Sequence, residues 1–261
     1  AGFIFPVINA QIAIIEQKTN KILLPVTQAF FSAGSLFGAL GAALFIKLIP
    51  DPRITFLIVG TMFLLYAIIF YFFGLKKIYE EDEKVEKFKI PERNILIYGF
   101  LLMMNFATLG IIIDWSPVWL TKDLGAPLFL GGLAIMFFNA GEIVARISAS
   151  KLINRFGEIT IGSYFSIISC ILLFITILSM NLNIILFGVL IFGFGTANFV
   201  AIVLRQAISE SNEGISLTVS NLITLGFGGF IFGPVVVGYL AEYISLTFNM
   251  YLLSVIWGFN G

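Results

Sequence analysis

The chain has 261 residues and zero net charge, with 59% hydrophobic and 11% charged residues, against roughly 45 to 50% and about 25% in soluble domains. An ordinary soluble globule is excluded, and the balanced charge argues against a nucleic-acid partner. Its 29 phenylalanines, spread over nearly every segment, suit helices that are apolar on all sides and have the lipid bilayer as their solvent.

A membrane-spanning helix needs about 20 apolar residues at 1.5 Å rise. Residues 1–15 are apolar from the start and lack the basic leader of a cleavable signal, so they are expected to be the later part of a span. Complete spans are predicted over 25–46, 54–75, 95–119, 128–147, 159–180, 183–204 and 215–241, and 246–261 opens another that lacks its end. The expected fold is an all-α polytopic transmembrane helix bundle, with seven complete and two partial spans, belonging to a longer chain.

Loop charges alternate. One side collects Lys18, Lys21, the run from Lys76 to Arg93, Arg146, Lys151, Arg155 and Arg205, whereas the other has only Lys47, Arg53 and Lys122. The first side is cytoplasmic by the positive-inside rule. Residues 76–94, KKIYEEDEKVEKFKIPERN, mix both signs and read as a cytoplasmic linker between a helix group over 1–75 and another over 95–261.

Small residues recur at Gly34-x-x-x-Gly38 and Gly229-x-x-x-Gly233, a spacing that lets helix backbones approach closely in lipid. The run GFGGFIFGP at 226–234 is also a candidate flexible point.

Polar residues inside apolar helices are the main functional clue, because a charge at the bilayer centre costs roughly 2.5 to 3.5 kcal/mol on insertion scales. Asn139, Glu142 and Arg146 fall at i, i+3 and i+7 and share one helix face. Glu142 lies ~21 Å along its span, and Arg146 lies near the inner boundary, where it can snorkel. The two form either an i,i+4 ion pair that makes both charges tolerable or a carboxylate that titrates as a cavity opens and closes. Asp114 lies ~28 Å along its helix, near the outer face. There it is either an inexpensive interfacial residue beside Trp115 and Trp119 or the outer mouth of a pathway opened by Pro117.

Glu142 and Asp114 are thus the proton-coupling candidates. The chain has no histidine, so a proton step near neutral pH falls to Asp, Glu or water. Candidates for a polar cavity are Asn9, Gln28, Ser32, Asn105, Asn139, Asn198 and Asn221; Gln28, Ser32 and Ser35 share one face, as do Thr218, Asn221 and Thr224. The single cysteine, Cys170, leaves no disulfide within the chain and no zinc pattern. No Walker-type nucleotide loop, HExxH or nucleophile elbow occurs, so no metal, cofactor or self-contained ATP-driven pump is expected.

Four stretches carry a family resemblance: INAQIAIIEQ (8–17) followed by QAFFSAGSLFGALGAAL (28–44); IDWSPVWL (113–120); the helix ending in Arg146 and running through KLINRFG (151–157); and GFGTAN (193–198) followed by LGFGGFIFGPVVVGYLAE (225–242). In order and spacing they resemble the major facilitator superfamily, in particular its bacterial branch of fucose-permease-like and sugar or drug permeases. The resemblance implies twelve helices in two six-helix bundles, with residues 1–75 corresponding to part of helix four through helix six and 95–261 to helix seven through most of helix twelve. Leu109 stands before Gly110 where that branch has an acidic residue, and Ala149-Ser150 replace the usual Gly-Asp of the cytoplasmic loop. Arg146, Lys151 and Arg155 remain as the loop's recognisable gating elements.

The expected function is secondary transport of a small polar organic solute, a sugar or related metabolite, by alternating access with proton coupling. The protein is expected to be a monomer, multi-pass in the inner or plasma membrane. Drug efflux is the rival within the transporter class; a lipid-acting membrane enzyme and a non-transporting sensor or scaffold are the rivals outside it.

Overall fold

The computed structural model describes residues 4–49, 51–73 and 91–258. Every regular element among the described residues is helical. Among the described residues, six helical segments are long and apolar enough to cross a membrane: Leu24–Phe45, Arg93–Lys122, Leu128–Ile147, Thr160–Leu178, Leu182–Glu210 and Ile215–Tyr243. The charged stretch expected to be the linker lies outside the described residues up to position 90.

In chain order, α1 covers Ile4–Thr19, α2 Leu24–Leu48 and α3 Pro52–Phe73, the last matching the span predicted over 54–75. The chain turns between α1 and α2 through Asn20 at φ 52°. Pro25 sits in the first turn of α2, where a missing N–H costs nothing. The Glu16 carboxylate of α1 accepts from Leu23 N at 2.8 Å and Leu24 N at 2.9 Å, capping the positive end of α2. Nearly every side chain of α3 is exposed, from Phe56 to Tyr71 and Phe72, and it makes only slight contact with the other helices.

The second group comprises α4 (Arg93–Lys122), α5 (Leu133–Ile147), α6 (Ala149–Phe156), α7 (Phe165–Leu178), α8 (Leu182–Thr196), α9 (Phe199–Glu210), α10 (Ile215–Tyr243) and α11 (Leu246–Gly258). Two expected spans are less regular than predicted. The span over 159–180 opens with a π-helical turn at Thr160–Tyr164. The span over 183–204 is interrupted between Thr196 and Phe199, then continues to Glu210. Its broken turn survives because outside groups engage it: Arg146 Nε donates to Ala197 O at 3.1 Å and Ser166 Oγ to Gly195 O at 3.3 Å.

The core of this group is two tight helix pairs. α4 lies along α10, where a Cβ on Gly229 would strike Met103 O and one on Gly233 would meet Ala107 at 2.8 Å. α5 lies along α8, where Gly141 abuts Leu190 O and Gly193 abuts Phe138 O. Such contacts exist only without a side chain, and close backbone approach is what drives helix association in lipid. The Gly229 pair thus packs as expected, and α10 runs unbroken through Pro234. Gly34 and Gly38 instead have nothing within 4 Å; their expected packing partner is absent among the described residues.

The first group meets the second along two seams, α2 against α5 and α1 against α10. These seams position the site.

Candidate functional site

Gly141 turns one side of α5 toward α8, so the opposite side, carrying Asn139, Glu142 and Arg146, faces α2. The three residues are 4, 4 and 5% exposed. Arg146 Nη2 pairs with Glu142 Oε1 at 2.7 Å, and the other carboxylate oxygen accepts from Ser32 Oγ at 2.7 Å. Arg146 Nη1 donates to Gln28 O at 3.0 Å and also to Ser32 Oγ. Both charges are therefore neutralised and hydrogen-bonded, the condition under which ionised groups survive away from water. This corrects the expectation that Arg146 snorkels to the cytoplasmic loop: its guanidinium is drawn inward by a carboxylate and two carbonyls.

Above this network lies a cavity of about 190 Å³ between the two groups. Its polar edge consists of Gln28, Ser35, Asn139, Glu142 and Arg146; six phenylalanines, Phe5, Phe31, Phe106, Phe138, Phe227 and Phe230, dominate the rest with Leu109, Ile113 and Val200. Phe5 meets Phe31, Phe106 and Phe227 edge-on at 5.8, 6.3 and 6.1 Å between centroids. Phe106 and Phe227 stand 5.5 Å apart. Rings contributed by α1, α2, α4 and α10 thus form one cluster across both groups, in geometries that aromatic pairs favour.

Of the sequence candidates, Gln28 and Asn139 line the cavity, whereas Ser32 sits behind it, bridging Glu142 and Arg146. Asn9 backs Gln28 through a long 3.4 Å contact. Asn198, at the break between α8 and α9, donates to Ala145 O at 3.4 Å, and Asn105 is buried with Oδ1 unpaired. Asn221 bonds Glu213 at 3.4 Å and Thr218 shares a 2.8 Å hydrogen bond with Ser211, both near the start of α10, whereas Thr224 is exposed. Asp114 is exposed and outside the cavity lining.

Of its neighbours, Trp119 is 1% exposed and donates to Thr247 Oγ1 at 3.0 Å, so it packs inside the bundle, and the half-buried Trp115 donates to Pro234 O at 2.9 Å. Both indoles tie α4 to other helices, giving their N–H groups the partners that burial requires. Lys151 and Arg155 are exposed on α6, with the Arg155 guanidinium 5.3 Å from the Phe156 ring centre.

Sequence reasoning missed two features. The cavity phenylalanines were read as lipid-facing, although Gln28, Phe31 and Ser35 share a face at i, i+3 and i+7. The second is an ion cluster at one end of the bundle, where Arg205 of α9 pairs with Glu16 at 2.7 Å and Glu158 at 3.0 Å. Glu16 had no visible partner because Arg205 is far away in sequence.

A polytopic helix bundle with a charged pair buried at a seam, beside a cavity between two helix groups, is an arrangement found in membrane transport folds. The Major Facilitator Superfamily family model matches residues 1–224, and the chain belongs to that family. It is 24% identical to an uncharacterized MFS-type transporter of Yersinia pestis over 246 residues, 94% of this chain and 64% of the relative. It is 21% identical to the uncharacterized transporter y4wD of Sinorhizobium fredii over 250 residues, 95% of this chain and 66% of that one. The membrane protein MosC of Rhizobium meliloti is 26% identical over 156 residues, 58% of this chain and 37% of MosC. The chain thus spans just under two thirds of the first two relatives.

Proposed function

We propose that this chain forms the greater part of a secondary transporter of the inner or plasma membrane. It acts as a monomeric carrier without cofactor, and moves a small amphipathic organic solute by alternating access. The observation that supports this reading is the cavity: six phenylalanines facing a short polar edge, at the seam where two helix groups meet. Apolar walls with a few placed polar groups suit a ligand of mixed character. This lining shifts the expected solute from a sugar toward the amphipathic, drug-like class. The ion pair beside the cavity makes proton coupling through Glu142 part of the proposal; Asp114, exposed and outside the lining, is the weaker candidate.

Counterflow in proteoliposomes of the full-length protein tests the reading. A labelled aromatic amine should exchange across the membrane without competition from sugars. Flux competed by sugars and indifferent to amines would overturn the solute class, and no flux of either would overturn transport. If Glu142 carries the proton, Glu142→Gln should keep exchange but lose accumulation driven by a pH gradient. Unchanged accumulation would return Glu142 to a structural role.

A further inference from the structure

The charged part of the cavity's polar edge is self-satisfied, and what remains open there is neutral: the Ser35 hydroxyl proton, the second Gln28 amide N–H and two amide oxygens. The Arg146 guanidinium is engaged by Glu142, Ser32, Gln28 O and Ala197 O, and both Glu142 oxygens are taken. Two side-chain acceptors remain open. The Asn139 amide nitrogen donates to Ile135 O at 2.7 Å and Ser35 Oγ at 3.0 Å. A backbone carbonyl only accepts, so it orients this amide and leaves Oδ1 free.

The Gln28 amide is oriented one step further away. Asn9 Nδ2 donates to Phe5 O at 2.8 Å, which turns Asn9 Oδ1 toward Gln28 Nε2 at 3.4 Å. Reversing the Gln28 amide would set two oxygens against each other. Gln28 Oε1 is therefore the end of the relay, unpaired on a residue only 6% exposed. Unpaired buried acceptors destabilise a fold unless a ligand or water completes them.

Resting on the amphipathic reading above, we propose that the transporter selects solutes carrying a hydrogen-bond donor, an ammonium, amide N–H or hydroxyl, on their apolar body. Asn139 Oδ1 and, once a solute parts the side chains that seal it, Gln28 Oε1 read that donor, and Asn9 is the positioning residue that leaves Oε1 as the unpaired end of the Gln28 amide. Because Gln28 lies on α2 and Asn139 on α5, a solute with two donors bonds both helix groups at once.

Two probes with the same body separate the donor from the rest: 2-phenylethylammonium, which donates, and its N,N,N-trimethyl counterpart, which does not. Their binding to the detergent-purified full chain is measured by titration calorimetry. The wild type should prefer the donating amine about tenfold, the span of a neutral-acceptor hydrogen bond to a charged donor. Gln28→Met, which keeps length and volume, should collapse that preference. Asn9→Leu, which leaves the lining untouched but frees the Gln28 amide to turn, should do the same. Variants that bind both amines with the preference intact would overturn the donor-reading role while leaving the amphipathic cavity standing. Failure of the wild type to bind either amine would remove the cavity reading and this inference together.

Discussion

At the scale of single residues, the site turns on how Glu142 and Arg146 are satisfied. The pair spans i and i+4 on α5, yet its remaining partners are Ser32 and Gln28 O from α2 and Ala197 O at the end of α8. Removing one member leaves the other charge buried and uncompensated. Arg146→Met is therefore expected to cost about 3–5 kcal/mol, and the double variant Glu142→Gln with Arg146→Met should recover most of it. Thermal unfolding in detergent of the two single variants and the double variant checks this; equal losses in all three would contradict a mutually compensating pair. The i, i+3, i+7 spacing made this face legible from sequence. Spacing within one helix could not show that Ser32 and the Gln28 carbonyl complete it, because those contacts depend on which helix packs opposite.

At the scale of helices, glycine acts by its neighbours and not by its motif. Both GxxxG pairs look alike in sequence, but Gly229 faces Met103 O directly and Gly34 faces open space. Gly229→Ala should lower stability by about 1–3 kcal/mol through overpacking of α4 against α10. Gly228→Ala on the same helix, whose added Cβ would meet Met103 Sδ at an ordinary 3.8 Å, should be neutral or stabilising by about 0.5–1 kcal/mol, since helix-interior glycine is costly by itself. Comparing the two melting temperatures decides the matter, and equal shifts would contradict the packing described. Apolar length and loop charge placed most helix boundaries within a few residues. They could not reveal the break at Ala197 and Asn198, which depends on a guanidinium from α5 engaging the freed carbonyl.

At the scale of the whole molecule, the two helix groups are tied at two depths, by the Arg146 network and, nearer the end that the loop charges predict to be cytoplasmic, by Arg205 between Glu16 and Glu158. The Arg205 side chain is 27% exposed and those of Glu16 and Glu158 are 12 and 21% exposed, so water weakens this cluster. A tie worth about 1 kcal/mol shifts a two-state population about fivefold. Arg205→Gln should therefore raise thiol labelling of an Ala13→Cys probe, buried on α1 beside the cluster, by about that factor, and unchanged labelling would mean that the cluster does not hold the groups together. The family was legible in the order of its stretches. The cavity's aromatic character was not, because phenylalanine facing lipid and phenylalanine facing a solute read alike until the helices are placed.

The most direct test of the amphipathic cavity is ligand-induced thermal stabilisation of the full-length protein, comparing aromatic amines with sugars in the wild type and in Phe31→Ala. Phe31 lines the cavity yet is 61% exposed, so its truncation spares the core. A ligand at 100 times its dissociation constant adds ~2.7 kcal/mol. Amines should stabilise the wild type, and the concentration they require should rise several-fold in Phe31→Ala. Stabilisation by sugars alone, or by amines with no dependence on Phe31, would contradict the assignment of this cavity as the solute site.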